Sequence, residues 1–95
     1  MNGKIYKTAE GFNSYEISEA DEKYIFTLAD ILIKQLGFTT DTTPISGLDG
    51  VYWDFLKEDV KLTVGWDIWS GAFVMAYCLS GNKHIETIAC CNIAQ

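Results

Sequence analysis

"GWDIWSGAF", residues Gly65 to Phe73, decides how this chain folds. It is flanked by "VKLTV" (Val60–Val64) and "VMAYCL" (Val74–Leu79). Both flanks are rich in residues that suit the pleated, half-buried surface of a sheet. Between them Asp67, Ser70 and Gly71 carry turn chemistry, so the stretch reads as a β-hairpin. Taking Ile68-Trp69-Ser70-Gly71 as the loop sets Asp67 opposite Ala72, and the pairs then alternate between faces. One face holds Trp66–Phe73, Val64–Met75, Leu62–Tyr77 and Val60–Leu79. The other holds Asp67–Ala72, Gly65–Val74, Thr63–Ala76 and Lys61–Cys78. The first face is large and apolar and is expected to meet the core. The second is small or polar and is expected to be open.

This reading separates the two tryptophans. Trp66 belongs to the core, where large aromatics contribute most burial. Trp69 lies at the tip, where it either folds over the sheet edge or stands exposed as an anchor for a partner. Asp67 either accepts the amides of Ser70 or Gly71 or belongs to the same binding surface.

Upstream, "VYWDFLK" (Val51–Lys57) predicts another strand, with Glu58-Asp59 as the turn into the hairpin. If Val51, Trp53 and Phe55 enter the core, Tyr52, Asp54 and Glu58 line the open face near Asp67. With Asp49 and Asp59 they would form an acidic surface studded with aromatics. "FTTDTTPISGLDG" (Phe38–Gly50) holds the only proline, Pro44, and reads as a loop. Before it, Tyr24, Ile25, Leu28, Ile31, Leu32 and Leu36 recur at spacings of three and four. That is one apolar stripe of an amphipathic helix, expected over Glu19–Leu36. Ser18 is the expected N-cap, acids fill the first turn, and Gly37 is the stop.

At the N-terminus, Glu10-Gly11 looks like a turn between short extended pieces near Ile5–Thr8 and Ser14–Ile17. At the C-terminus, Ile85, Ile88, Ala89 and Ile93 keep helical spacing, with Asn82 as a cap; a strand over "HIETIACC" is the alternative. The expected architecture is α+β. An antiparallel sheet of three or more strands carries a long N-terminal-half helix and a short C-terminal helix on one face.

The 95 residues suit a single domain, 1–95. The net charge is −6, and every positive charge is a lysine. Nucleic-acid binding needs a basic stripe that displaces counterions, so DNA and RNA are not expected partners. An acidic surface instead suits a basic partner. No apolar run reaches the ~20 residues of a membrane helix. With "MNGKIYKTAEG" lacking a signal-peptide core, and three cysteines of which Cys90 and Cys91 are adjacent, a cytoplasmic protein with reduced thiols is expected.

Motifs for catalysis, metals or cofactors are missing from the sequence: no Ser/His/Asp or Cys/His spacing, no HExxH, CxxC, EF-hand or phosphate loop. His84 is the single histidine and is expected to be structural or solvated. The expected function is therefore non-enzymatic, without a cofactor.

At "LTVGWDIWSGAFVMA", Leu62 to Ala76, the chain resembles small bacterial immunity proteins, the antidotes of polymorphic toxin and contact-dependent growth inhibition systems. The resemblance extends to size, acidity and the helix-then-strands order. It implies an inhibitor that binds a cognate toxin domain, often a basic nuclease, at or beside its substrate site. The expected epitope is Tyr52, Asp54, Glu58, Asp59, Asp67 and Trp69. Two other readings remain: a small-ligand module that stacks rings on Trp69 or Trp53, and a self-associating homodimer.

Overall fold

The computed structural model describes residues 3–93 and their side chains as far as Cys90. The side chains of Cys91 and Ile93 lie outside the described residues. The elements run β1 (Lys4–Lys7), β2 (Asn13–Ile17), α1 (Tyr24–Lys34), β3 (Ile45–Ser46), β4 (Gly50–Lys57), β5 (Val60–Asp67), β6 (Gly71–Ala76) and α2 (Leu79–Ile93). All strands join one antiparallel sheet in the order β1-β2-β6-β5-β4-β3. Both helices lie on one face, as expected for this α+β arrangement.

The N-terminal hairpin turns at Gly11, whose φ is 90°, and its outer strand, β1, forms one sheet edge. β2 is inserted between β1 and β6, which ties the start of the chain to the hairpin. At the other edge, the segment after α1 is stitched along β4. Thr39 exchanges backbone hydrogen bonds with Leu56 at 2.8 Å each way. The Thr40 hydroxyl donates to the Asp54 carbonyl at 2.8 Å, and the Trp53 indole donates to the Thr42 carbonyl at 3.0 Å. The expected loop therefore carries β3 and covers most of an edge that would otherwise offer unpaired amides.

The helix boundaries differ from the expected ones. α1 starts at Tyr24, not Glu19, because residues 21–23 form a turn in which the Asp21 carboxylate accepts the Lys23 amide at 3.0 Å. Its cap position is Lys23, and Glu19, Asp21 and Glu22 precede the first turn. The apolar stripe is as read: Ile25, Leu28, Ala29, Ile31 and Leu32 are buried. Gly37, at φ 77°, turns the chain so that the Phe38 amide returns to the Leu32 carbonyl at 3.0 Å. Residues 83–93 are helical, and α2 begins earlier, at Leu79. Asn82 does not cap it. The Asn82 side chain reaches across to accept the Asn13 amide of β2 at 2.7 Å.

The β5–β6 register corrects the sequence reading by one residue. Asp67 pairs with Gly71, Trp66 with Ala72, Gly65 with Phe73, Val64 with Val74 and Leu62 with Ala76. A one-residue slip reverses the faces of a whole strand. Ala72, Val74 and Ala76 thus meet the helices, while Phe73, Met75 and Tyr77 go to the open face. Helix proximity explains why small residues point inward. A Cβ on Gly81 of α2 would stand 2.9 Å from the Ala76 Cβ, so a methionine or tyrosine inward on β6 would drive α2 off the sheet. On the open face, the Phe73 ring covers Gly65. A Cβ there would lie 2.6 Å from the ring.

Gly71 fixes this slip. It sits at φ 73°, a left-handed conformation that L side chains rarely adopt. A Cβ would also collide with the Ile17 carbonyl and approach the Ser18 Cα to 2.7 Å. Gly71→Ala is expected to lose about 1–3 kcal/mol of stability by urea unfolding, from left-handed strain alone. A change under about 0.5 kcal/mol, the usual range for an ordinary surface substitution, would show that Gly71 does not set the register.

Candidate functional site

The open face of the sheet is the candidate site. Pairing places its side chains in rows. One row runs Lys4, Glu16, Phe73, Gly65 and Tyr52; the next runs Tyr6, Ser14, Met75, Thr63 and Asp54. Of the expected epitope, Tyr52, Asp54 and Asp67 lie here, and Trp69 stands at the adjoining hairpin tip with 72% of its surface exposed. Glu58 and Asp59 do not join them. They form the β4–β5 turn, Glu58 at φ 55°, beyond the opposite end of β4. That end is roughly 23 Å from Gly50, the register partner of Asp67, at the rise of a strand.

The hairpin tip is preorganised. Asp67 Oδ1 accepts the Trp69 amide at 2.9 Å and the Ser70 amide at 2.6 Å. Asp67 is thus first a turn-capping group, and the cap aims Trp69. Trp66 takes the other side of the sheet, packed on the core with its indole donating to the Ala20 carbonyl at 3.1 Å.

At the centre of the face lies a hydrogen-bonded chain. Thr63, 2% exposed, donates to the Asp54 carboxylate at 2.7 Å. Its one proton is thereby committed, so the Tyr77 hydroxyl, also at 2.7 Å, donates to Thr63. Lys61 closes the group, 3.6 Å from the other Asp54 oxygen and 4.6 Å above the Tyr77 ring. These contacts hold Asp54 in place and partly neutralise it. A cleft of about 280 Å³ opens beside it, lined by Thr39, Thr40, Asp41, Thr42, Leu56 and Lys61 as well.

Glu16 is the site residue that the sequence reading missed. It stands between two adjoining clefts. One, about 180 Å³, is bounded by Tyr52, Phe73, Met75 and Asp67; the other, about 300 Å³, by Tyr6, Trp69, Lys4 and Glu19. Ser70 lines both. Burial pushes the Glu16 carboxyl above its ordinary value of 4.5, and the nearby Asp67 charge adds to this, while hydrogen bonds from Ser14 and Ser70 oppose it. The signal was present as the alternation Ser14, Tyr15, Glu16, Ile17, with the apolar members inward. It needed the pairing of β2 with β6 to become a site.

His84 packs edge-on against Phe38, ring centroids 5.0 Å apart. Burial, reinforced by Lys57, lowers its pKa. Among the described residues no group of three or more His, Cys, Asp or Glu is placed to hold a metal ion, and no helix is long and apolar enough to cross a membrane. Cys90 is exposed and Cys78 half-buried, both as free thiols.

Glu16 generates a pH-dependent prediction. Its folded-state pKa is raised, so ionising it weakens the fold as pH rises through that value. Glu16→Gln is therefore expected to be more stable than the parent near about pH 7, with the difference vanishing below about pH 4, where both states of the parent carry a proton. Urea unfolding at the two pH values measures it. A variant equally destabilised at both would show that Glu16 serves the fold through its shape or hydrogen bonds.

Compared with protein-family models, with curated proteins and with solved structures, the chain gives no significant match to any of them.

Proposed function

We propose that this protein is a non-enzymatic inhibitor of the immunity type, which binds a basic toxin domain through its open sheet face. The observation that carries the reading is the combination on that face and its hairpin tip of exposed rings with carboxylates. Tyr6, Tyr52 and Trp69 are exposed, and Glu16, Asp54 and Asp67 lie among them. Trp and Tyr are enriched among binding hot spots. A net charge of −6 favours rapid encounter with a basic surface. The resemblance of Leu62–Ala76 to immunity proteins supports the same class of partner. On this reading the protein acts in the cytoplasm of the toxin-producing cell.

The mechanism is steric and electrostatic. Acidic groups steer the toxin domain, and the rings are then buried in an interface of about 1,600 Å² in total. Because two hydrogen bonds to Asp67 already fix the tip, less ordering entropy opposes docking.

The test is calorimetry against the C-terminal domain of a toxin encoded immediately upstream, at low and high salt. Expected are nanomolar affinity that weakens with salt and a loss of at least about 2 kcal/mol for Trp69→Ala, the threshold of a hot spot. No binding at micromolar concentration would refute the pairing. Unchanged affinity in Trp69→Ala would remove Trp69 from the interface.

A further inference from the structure

We propose that the cleft between Tyr6 and Trp69 is a receptor for a single arginine side chain of the partner, with Glu16 as its counter-ion. This rests on the reading of the chain as a binder of a basic protein and names the group that it reads.

The cleft, of about 300 Å³, joins the N-terminal edge strand to the hairpin tip. Its two aromatic walls are half or more exposed, and among the described residues neither is paired with another ring. Such rings offer their negative faces to a cation. Glu16 lines the same cleft from β2, the strand between β1 and β6, with Ser14 and Ser70 beside its carboxylate. Glu19 adds a second acid, and Lys4 is the one cation lining the cleft. Lys4, the cross-strand partner of Glu16, forms no ion pair with it. The ion pairs among the described residues are Lys34–Asp30 and Lys61–Asp54.

The chemistry favours guanidinium over ammonium. A guanidinium is planar, weakly hydrated and able to stack on a ring while donating two parallel bonds to a carboxylate. A lysine ammonium would keep more of its water and gain less from two rings. Burial leaves the Glu16 carboxylate short of solvation, and an arriving cation restores what burial removed.

The experiment is a titration of the isotope-labelled protein, followed by NMR, with the peptide acetyl-Gly-Arg-Gly-amide and its citrulline counterpart, which keeps the shape and loses the charge. Expected are saturable shifts of the Trp69 indole and the Tyr6 ring with the arginine peptide and none with citrulline. Glu16→Gln should weaken binding by about fivefold or more, since it removes the charge-assisted bonds. Asp41→Asn, in the separate threonine-lined cleft, should leave binding unchanged. Equal response to citrulline, shifts confined to residues 39–42, full binding by Glu16→Gln, or no shift at about 20 mM peptide, well above the millimolar range of weak sites, would overturn the inference. A lysine peptide binding as well as arginine would overturn the choice of guanidinium. Calorimetry separates this from the function proposed above. Tight toxin binding that Glu16→Gln leaves intact sinks the arginine cleft alone. Arginine-peptide binding with no toxin binding sinks the immunity reading alone.

Discussion

One oxygen of the Asp67 carboxylate accepts the amides of Trp69 and Ser70, and Gly71 follows in a left-handed conformation. Together they return the chain one residue sooner than a four-residue loop would. That single residue decides which side of β6 faces the helices. It sends Ala72, Val74 and Ala76 inward and Phe73, Met75 and Tyr77 outward. The core and the open face are therefore two results of one turn. The same turn lays the hairpin against β2, because Gly71 has no side chain to hold it away from Ile17 and Ser18.

Volume is divided across the sheet to match. Inside, the spacing between α2 and β6 tolerates only small groups where Gly81 meets Ala76. Outside, Gly65 leaves a hollow that the Phe73 ring fills, and Tyr52 lies 6.1 Å from that ring. A glycine beneath an aromatic on a neighbouring strand avoids a gap in the sheet surface while keeping that surface flat. Flanking it, Thr63 links Asp54 to Tyr77 in one bonded chain, so the polar part of the face is fixed by the pairing of β4 with β5 and β6. Rings and carboxylates are thus held on a rigid sheet, and only the hairpin tip projects.

Much of this was legible in the sequence. The 3.6-residue stripe from Ile25 to Leu32 located α1, the alternation of Val51, Trp53 and Phe55 gave β4 its inward face, and Gly11 and Gly37 marked real turns. The hairpin itself was legible, but its register was not. Both registers divide the residues into a large and a small set on β6, and the left-handed turn at Gly71 together with the depth available beneath α2 chooses between them. The start of α1 was hidden for a local reason: Asp21 folds onto the Lys23 amide and takes the acids of the expected first turn out of the helix. On the open face, Tyr52, Asp54, Asp67 and Trp69 could be read from strand alternation within one hairpin and its neighbour. Glu16, Lys4 and Tyr6 could not, because their proximity to Trp69 depends on a pairing between the two ends of the chain. Glu58 was grouped with Asp67 by continuing the alternation of β4 and Asp59 by its charge, but β4 ends at Lys57 and strand length separates both from Asp67.

The insertion of β2 between β1 and β6 also orders events in time. Ser14 finds its partner Met75 only after roughly 60 further residues are available, and closing so long a loop is slow compared with forming the β4–β5–β6 meander. During synthesis β1 and β2 can pair locally, but the other edge of β2 has no partner until residues 71–76 follow. The cleft between Tyr6 and Trp69 draws its lining from both partners of that long-range pairing, so it exists only where β2 has joined β6.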